Sequence, residues 1–446
     1  MKIKLLYFLF LMALGISTAQ NRFELASQKQ KVSIPFQYVN NLIILKVAVN
    51  GVVLNMIFDT GIKQTILINV KTTDSLNLNH LKSKKFTGVG ADNPIIEGLS
   101  SAHNIVQLHN QIVNKDAKIY MIADFDFKFS EYIGVPVNGF IGGELIKNFM
   151  VQIDYNKKKL IFYKQGKFIQ KKLKKYQVYD LEIVRDKPYV QAFLQPNKKT
   201  PSTQLKFLID TGNSDAVWLF SASKPSIPVT QKRIDDYFGL GFSGDIKGQR
   251  IKAARFGFDT KHKFKNVYVA LPDSIYFRSV IRNFSFDGLI GNEVLRRFKV
   301  IFDFRHKKLY LKKNRNFYHD KFLFNDTGIF LIYDGKIVVK QKQIETYFET
   351  DVHNNKTFVT GETAYTFVYK MLDRIVIQYI RKGSPADRAG LMEGDILLEI
   401  NGQSVYDYRL DELEKRFFYH NKKHLRFLIE RKGMRMEYNI LNTKQL

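Results

Sequence analysis

Two copies of one short sequence decide the fold expected of this chain. Asp59-Thr60-Gly61 follows the apolar run Met56-Ile57-Phe58, and Asp210-Thr211-Gly212 follows the apolar run Phe207-Leu208-Ile209. The two aspartates are 151 residues apart, from position 59 to position 210. A repeat of this length indicates a duplicated half of a molecule, because the units of solenoid proteins are only about 20–50 residues long.

A second matched element follows each triplet further along the chain. The first copy reads Asn138-Gly139-Phe140-Ile141-Gly142-Gly143-Glu144-Leu145, and the second reads Asp287-Gly288-Leu289-Ile290-Gly291-Asn292-Glu293-Val294. Gly142 and Gly291 are 149 residues apart, from position 142 to position 291, which is nearly the spacing of the aspartates. We therefore expect two β-rich lobes, over residues 20–168 and 169–318, that each contribute one carboxylate to a shared site.

Strand and turn signals put each triplet in a tight loop at the end of a strand. Asn50-Gly51 separates the apolar runs 42–49 and 52–58, and this dipeptide is a strong β-hairpin signal. The returning strand leads directly into Asp59. Further expected elements are hairpin tips or turns at the glycine-rich residues 86–90 and 239–244, and short helices over 144–149 and 293–298. The expected fold class is mainly β.

The composition is that of a strongly basic globular protein, with a formal net charge of +28. Lysines spread over loops and strand edges keep a β protein soluble and discourage edge pairing between molecules. The same charge would attract nucleic acid, an anionic envelope surface or acidic substrates. Nucleic acid is not expected as a partner, because the N-terminus indicates export.

The N-terminal residues have the pattern of a cleaved signal peptide. Lys2 and Lys4 precede the apolar run from Leu5 to Ile16, and Ser17-Thr18-Ala19 matches a small-residue cleavage site. The run is about 12 residues long, whereas a membrane-spanning helix needs about 20. The chain has no cysteine, so neither a lipid-anchored Cys nor a disulfide is expected. We expect a monomer, periplasmic or secreted, with residues 1–19 removed.

The paired triplets suit a specific acid–base chemistry. Two carboxyls about 3 Å apart cannot both ionise, so they share one proton. The ionised carboxylate can take a proton from water, while the protonated one donates to a scissile carbonyl. The hydroxyls of Thr60 and Thr211 can hold the loops rigid, and Gly61 and Gly212 lack a Cβ, so the loops can approach closely.

The triplets and their partner elements resemble those of the aspartic peptidases, both the two-lobed pepsin-like enzymes and the dimeric retropepsins. The resemblance covers residues 40–165 and 185–312 and implies a bilobal fold of two acid-protease barrels. It implies that Asp59 and Asp210 are the catalytic pair of an endopeptidase acting on peptides or unfolded protein segments. It also implies that Thr60 and Thr211 interlock between the lobes, and that neither a cofactor nor a metal is needed.

The residue after each triplet departs from this family, which has Ser, Thr or Ala there. The two positions hold Ile62 and Asn213. The Asn213 side chain could donate to its aspartate, whereas the Ile62 side chain cannot. The prediction is that Asp210 is the more acidic member of the pair and that Asp59 holds the shared proton.

The C-terminal residues 325–446 look like the PDZ domains of exported bacterial peptidases. The specific stretches are Gly383-Ser384-Pro385-Ala386, Gly394-Asp395 and Ile400-Asn401-Gly402. Such domains bind an extended peptide as an added strand beside a helix, often by its C-terminal carboxylate. The helix expected here is Leu410 to Phe418. The residues before Ile375 lack the usual glycine-rich carboxylate loop, so Lys370 or Arg374 would have to substitute for it.

Two other functions remain open at this point. The bilobal cleft could belong to a catalytically silent peptide-binding protein. Alternatively, the chain could be a scaffold whose working part is the PDZ domain. A plain turn after a strand would also explain one Asp-Thr-Gly triplet, but two triplets with matched partner elements favour a shared site.

Overall fold

The computed structural model describes residues 21–69, 76–87, 95–122, 127–164, 173–220, 232–242, 244–277, 286–353, 356–418 and 424–446. The chain forms two compact units: the first reaches Phe324 and includes Leu446, and the second is Asn325–Gln445. The predicted signal peptide and most of the first glycine-rich stretch lie outside the described residues. The described chain is mainly β, as predicted.

The first unit consists mainly of strands. In chain order they are β1 Glu24–Leu25, β2 Lys31–Pro35, β3 Gln37–Val39, β4 Leu42–Val49, β5 Val52–Phe58, β6 Thr65–Leu67, β7 Lys82–Thr87, β8 Ile95–Leu108, β9 Ile112–Met121, β10 Gly139–Ile141, β11 Phe149–Asp154, β12 Lys159–Lys164, β13 Gln177–Asp180, β14 Glu182–Val184, β15 Lys187–Gln195, β16 Thr203–Ile209, β17 Val217–Leu219, β18 Arg233–Gly241, β19 Gly244–Gly257, β20 Lys263–Pro272, β21 Gly288–Ile290, β22 Phe298–Asp303 and β23 Lys308–Lys313.

The second unit adds six strands, and the described helices are short throughout. The strands are β24 Ile329–His353, β25 Lys356–Ile380, β26 Ile396–Ile400, β27 Gln403–Ser404, β28 His424–Arg431 and β29 Met434–Leu441. The helices are α1 Phe129–Ile133, α2 Asn292–Leu295, α3 Arg315–His319, α4 Pro385–Arg388 and α5 Leu410–Phe418. None of the helices in the described ranges has the length and apolar character that crossing a bilayer requires.

The two halves of the first unit repeat one sheet topology. In the first half the strand order is β1-β9-β6-β10-β5-β4-β8-β7, with β3 paired to β4. In the second half the order is β14-β15-β16-β21-β17-β20-β19-β18. In each half the strand that leads into the triplet runs parallel to the strand of the second matched element, as Phe58 pairs with Ile141 and Ile209 with Ile290.

A third sheet contains strands from both halves. Its order is β13-β23-β22-β11-β12-β2, and β11 pairs antiparallel with β22, so that Gln152 lies opposite Ile301. Val151, Phe162 and Phe302 are fully buried in the main hydrophobic cluster of this unit. Since a large apolar side chain contributes about 1.5–3 kcal/mol when buried, this sheet is a strong link between the halves.

Both short helices predicted after the matched elements are shorter than expected. The first is a 3-10 turn over Gly143–Leu145, and the second is α2, Asn292–Leu295. The predictions ran on to Phe149 and Phe298, but these residues begin β11 and β22. Their side chains are buried in the core, so sheet pairing overrides the local helical pattern.

The second unit carries one long hairpin. β24 and β25 each contain 25 residues and pair from Ile329 opposite Ile380 out to His353 opposite Lys356. The base of this hairpin packs in a separate core with helix α5, through Ile329, Leu413 and Phe417. Helix α5 has the predicted bounds, Leu410 to Phe418.

Candidate active site

The two Asp-Thr-Gly loops begin where their strands end. The backbone N–H of Asp59 donates to the carbonyl of Ile141 at 3.0 Å, and the N–H of Asp210 donates to the carbonyl of Ile290 at 2.9 Å. Each loop is therefore supported from below by the matched element of its own half.

Thr60 and Thr211 lock the two loops together. The backbone N–H of Thr60 donates to the Thr211 hydroxyl at 3.0 Å, and the N–H of Thr211 donates to the Thr60 hydroxyl at 3.1 Å. Each hydroxyl then donates to the other half, Thr60 to the carbonyl of Ile209 at 2.7 Å and Thr211 to the carbonyl of Phe58 at 2.8 Å. Both threonines are fully buried, so these four bonds are shielded from water.

The glycines of the triplets allow the carboxyl group of each loop to lie against the backbone of the other loop. A Cβ on Gly61 would lie 2.8 Å from Cγ of Asp210, and a Cβ on Gly212 would collide with the carboxyl of Asp59. Each glycine also donates its N–H to the aspartate of its own loop, at 2.7 Å to Asp59 and 2.9 Å to Asp210. The absence of a side chain at both positions therefore brings the two carboxyls together.

Asp59 and Asp210 are hydrogen-bonded to each other and differ in their surroundings. Burial raises the pKa of Asp59, while hydrogen bonds from Asp210 and from the backbone of Gly61 and Ile62 oppose the rise. Burial raises the pKa of Asp210 well above its usual range, and the adjacent charge of Asp59 raises it further. Two buried carboxyls this close share one proton, and the additional backbone donor at Ile62 favours Asp59 as the ionised member.

The predicted position of the proton, on Asp59, loses the side-chain contact on which it relied. The prediction relied on the Asn213 side chain donating to Asp210, but Asn213 Oδ1 accepts from the N–H of Asp215 at 2.8 Å. The Asn213 Nδ2 group is buried without a hydrogen-bond partner among the described residues. Ile62 supplies the missing donor through its backbone instead, which side-chain reasoning alone could not reveal.

A cavity of about 550 Å³ lies above the two carboxyls, between the halves. Its walls are mainly apolar. Ile133 and Phe140 contribute from the first half, and Trp218, Phe277 and Leu289 contribute from the second. A cavity of this size and character suits the side chains of a bound peptide or another apolar ligand.

The hairpin of β18 and β19 reaches from the second half to the wall of the first. Phe242 at its tip has its ring centroid 4.9 Å from that of Phe140 and 6.1 Å from that of Phe129. Gly239 and Leu240 of the same hairpin line the cavity. The glycine-rich residues 239–244 are thus at a hairpin tip, as predicted, with Ser243 outside the described residues.

Sequence reasoning missed one charged residue of the cavity, Lys187. It begins β15 and lines the cavity beside Asp59 and Asp210. Burial lowers the pKa of Lys187, while the charges of the two aspartates oppose that shift. Comparing the turns that precede β4 and β15 would have identified it, because Leu42 occupies the corresponding position in the first half.

The second unit places helix α5 next to the first strand of its sheet. β24 is hydrogen-bonded to β25, and within the described residues Ile329–Tyr333 has no second strand partner. Lys370 and Arg374, which were suggested to replace the glycine-rich carboxylate loop, lie within β25 rather than in a loop. Arg374 donates to the carbonyl of Asp334 at 2.7 Å and to its carboxylate at 3.2 Å.

Comparisons with known proteins match the C-terminal part of the chain to a family. Residues 376–431 match the family model of the PDZ domain, which confirms that prediction over these residues. Among solved structures, the chain is similar to basic 7S globulin from soybean, with 9% identity, 66% of this chain and 97% of the globulin covered, and a TM-score of 0.39. It is also similar to the aspartic proteinase from Irpex lacteus, with 13% identity and a TM-score of 0.37, over 64% of this chain and 98% of the proteinase. A search of curated proteins gives no match.

Proposed function

We propose that this protein is an aspartic endopeptidase that hydrolyses peptide bonds with a water molecule activated between Asp59 and Asp210. The observation that carries the proposal is the hydrogen bond between these two carboxyls at the floor of an apolar cavity. Burial and mutual repulsion favour a single shared proton, which is the state that this reaction requires.

The environments of the two carboxyls suggest a division of roles. Asp59 is ionised, because it accepts from Asp210 and from the backbone of Gly61 and Ile62, and it acts as the general base toward water. Asp210 carries the proton and donates it to the oxygen of the scissile carbonyl. The water then forms a bond to the carbonyl carbon, giving a neutral diol intermediate. When it collapses, the C–N bond breaks, the leaving amine takes the proton now on Asp59, and one diol hydroxyl returns its proton to Asp210.

The walls of the cavity suggest the class of substrate. Among the described lining residues, the charged ones are Asp59, Asp210 and Lys187, and most of the others are apolar. An extended peptide would therefore place apolar side chains on both sides of the bond that is cut. Peptides and unfolded protein segments fit this description, because their backbones are available for binding in an extended form.

The PDZ domain adds a second peptide-binding surface to the proposal. An extended peptide would join the sheet at the edge of β24, beside helix α5, with its backbone hydrogen-bonded to Ile329–Tyr333. A free peptide C-terminus is a further candidate ligand of this domain. Lys370 lies opposite Val339, further along the hairpin than this edge. The proposal also includes export of the protein to a periplasm or the exterior, attraction to an anionic envelope surface and a monomeric state.

Cleavage of an unfolded protein tests the catalytic proposal. Purified wild type should cleave a denatured, unstructured substrate, and pepstatin should inhibit the reaction. Asp59→Asn and Asp210→Asn should each reduce the rate by at least about 10³-fold, since the pair acts as one unit. Asp180→Asn is the control, because that carboxylate belongs to an exposed surface ion pair.

Three outcomes distinguish the proposal from its alternatives. A folded wild type that binds peptide without cutting any substrate would indicate a silent binding protein. Cleavage that persists in both Asn variants would locate the reaction elsewhere in the chain. If removing residues 325–446 abolishes function while both Asn variants behave as wild type, the PDZ domain is the working part.

A further inference from the structure

Lys187 is placed in the cavity by a two-residue turn that has a counterpart in the first half. Leu42 pairs with Val39 across Asn40-Asn41, and Lys187 pairs with Val184 across Arg185-Asp186. All four turn residues have a positive φ, between 46° and 62°. Leu42 and Lys187 are thus equivalent positions, and both line the cavity.

The turn before Lys187 is anchored to the opposite half. The Asp186 carboxylate lies 3.0 Å from the Lys147 ammonium and 3.6 Å from the Lys63 ammonium. Its backbone carbonyl lies so close to Gly143 that a Cβ there would collide with it. These contacts fix the start of β15, so that Lys187 is held at the cavity while Arg185 remains exposed.

The electrostatic partners of Lys187 identify what it acts on. Its ammonium interacts with Asp59 and Asp210, and the charge of Arg185 opposes its own. Among the described residues that line the cavity, Lys187 is the one cation. The neighbouring Lys63 and Asp186 are paired with each other, and Glu144 accepts hydrogen bonds from Thr65. Lys187 is therefore the cation placed to influence the charge of the aspartate pair.

We propose that Lys187 is a positioning residue that sets the pH range in which the Asp59–Asp210 pair holds a single proton. This inference rests on the proposed function. A fixed cation favours each ionised state of a nearby carboxyl pair, so it lowers the pH at which the pair loses its last proton. The half-buried position of Lys187 strengthens this effect, because water screens it less than it would a surface charge.

The matched position in the first half supplies the test variant. Lys187→Leu places at this position the residue that the first half carries at Leu42, so the variant should fold. In the pH profile of kcat/KM on an apolar peptide, the alkaline limb of the variant should lie at a pH about one unit higher than in wild type. Lys187→Arg keeps the charge and should restore the wild-type limb. Arg185→Leu removes an exposed cation of the same turn and should leave the limb in place.

A direct titration separates this inference from the proposed function. The ionisation of Asp210 can be followed by carbon NMR of protein labelled at its aspartate carboxyls, whether or not the protein cuts peptides. The expected result is a higher pKa of the pair in Lys187→Leu than in wild type or Arg185→Leu. An unchanged pKa in folded Lys187→Leu overturns the inference. A wild type that cleaves nothing overturns the proposed function, and the titration still decides the role of Lys187.

Discussion

Thr60 and Thr211 each donate a backbone N–H to the hydroxyl of the other, at 3.0 and 3.1 Å, and each hydroxyl donates onward to a carbonyl of the opposite half. This exchange makes the geometry of the two aspartates depend on both halves at once. A buried N–H or carbonyl that loses its partner costs about 1–3 kcal/mol.

Removing one of these hydroxyls should therefore weaken both the fold and the site. Thr60→Val and Thr211→Val should each lower the free energy of unfolding by about 2–4 kcal/mol, because one N–H and one carbonyl are left unpaired in each case. Urea denaturation measures this loss. Thr60→Ser keeps the hydroxyl and should recover most of the stability, and a Val variant as stable as wild type would contradict the prediction.

The triplet glycines should not tolerate a methyl group. Gly61→Ala would put a Cβ 2.8 Å from Cγ of Asp210 and force the carboxyls apart. Peptide cleavage should fall by at least about 10²-fold, since a displacement of about 1 Å can cost that much. Gly433→Ala is the control: its φ of 78° makes alanine strained, but no atom lies within 4 Å of the added Cβ. That variant should lose some stability and keep its activity.

The buried aspartate pair should make stability depend on pH. Because the pKa of Asp210 is raised in the folded state, folding favours its protonated form, and stability is lost as the pH rises above the range in which an unfolded aspartate ionises. Asp210→Asn removes this loss. Thermal unfolding should show that the variant is more stable than wild type at neutral pH and similar to it near pH 3, while cleavage is abolished. A variant less stable than wild type at neutral pH would contradict the assignment of the proton.

Glu144 should add a second pH-dependent contribution. Burial raises the pKa of Glu144 to about 7, and its Oε1 accepts from the Thr65 N–H at 2.9 Å and the Thr65 hydroxyl at 2.7 Å. An unperturbed glutamate has a pKa of 4.5, so the stability that the protonated form provides is lost between about pH 4.5 and pH 7. The loss is at most about 3.4 kcal/mol, at about 1.36 kcal/mol per pKa unit. Glu144→Gln should flatten this part of the stability–pH curve, and an unchanged slope in urea denaturation would refute the prediction.

The repeats in the sequence predicted the local architecture of each half. Apolar strands with turn residues between them, such as Asn50-Gly51, specify hairpins from neighbouring residues alone. Matching the two copies also brought Phe140-Ile141 and Leu289-Ile290 into equivalent places, and both pairs lie beside their triplet strands. Local patterns and internal repeats are therefore sufficient for these elements.

Other features depend on contacts that a linear pattern does not encode. The pairing of β11 with β22 joins strands from different copies, and no turn residue specifies it. Lys187 was missed because the loop between Gln195 and Thr203 is longer than the one between Val49 and Val52. Leu42 and Lys187 are consequently 145 residues apart, from position 42 to position 187. Aligning the two halves by the 151-residue spacing of the aspartates therefore does not place these two residues opposite each other. The donor at Ile62 was missed because a backbone hydrogen bond cannot be read from side-chain types.

The sheet that β11 and β22 share has a consequence for a chain that is cut in two. A protease that nicks the polypeptide between Lys164 and Leu173 would leave the ladder from Met150 opposite Asp303 to Asp154 opposite Lys299 intact. The two fragments would then persist as a heterodimer. Separately produced fragments should likewise reassemble and complement each other, much as two independent subunits would.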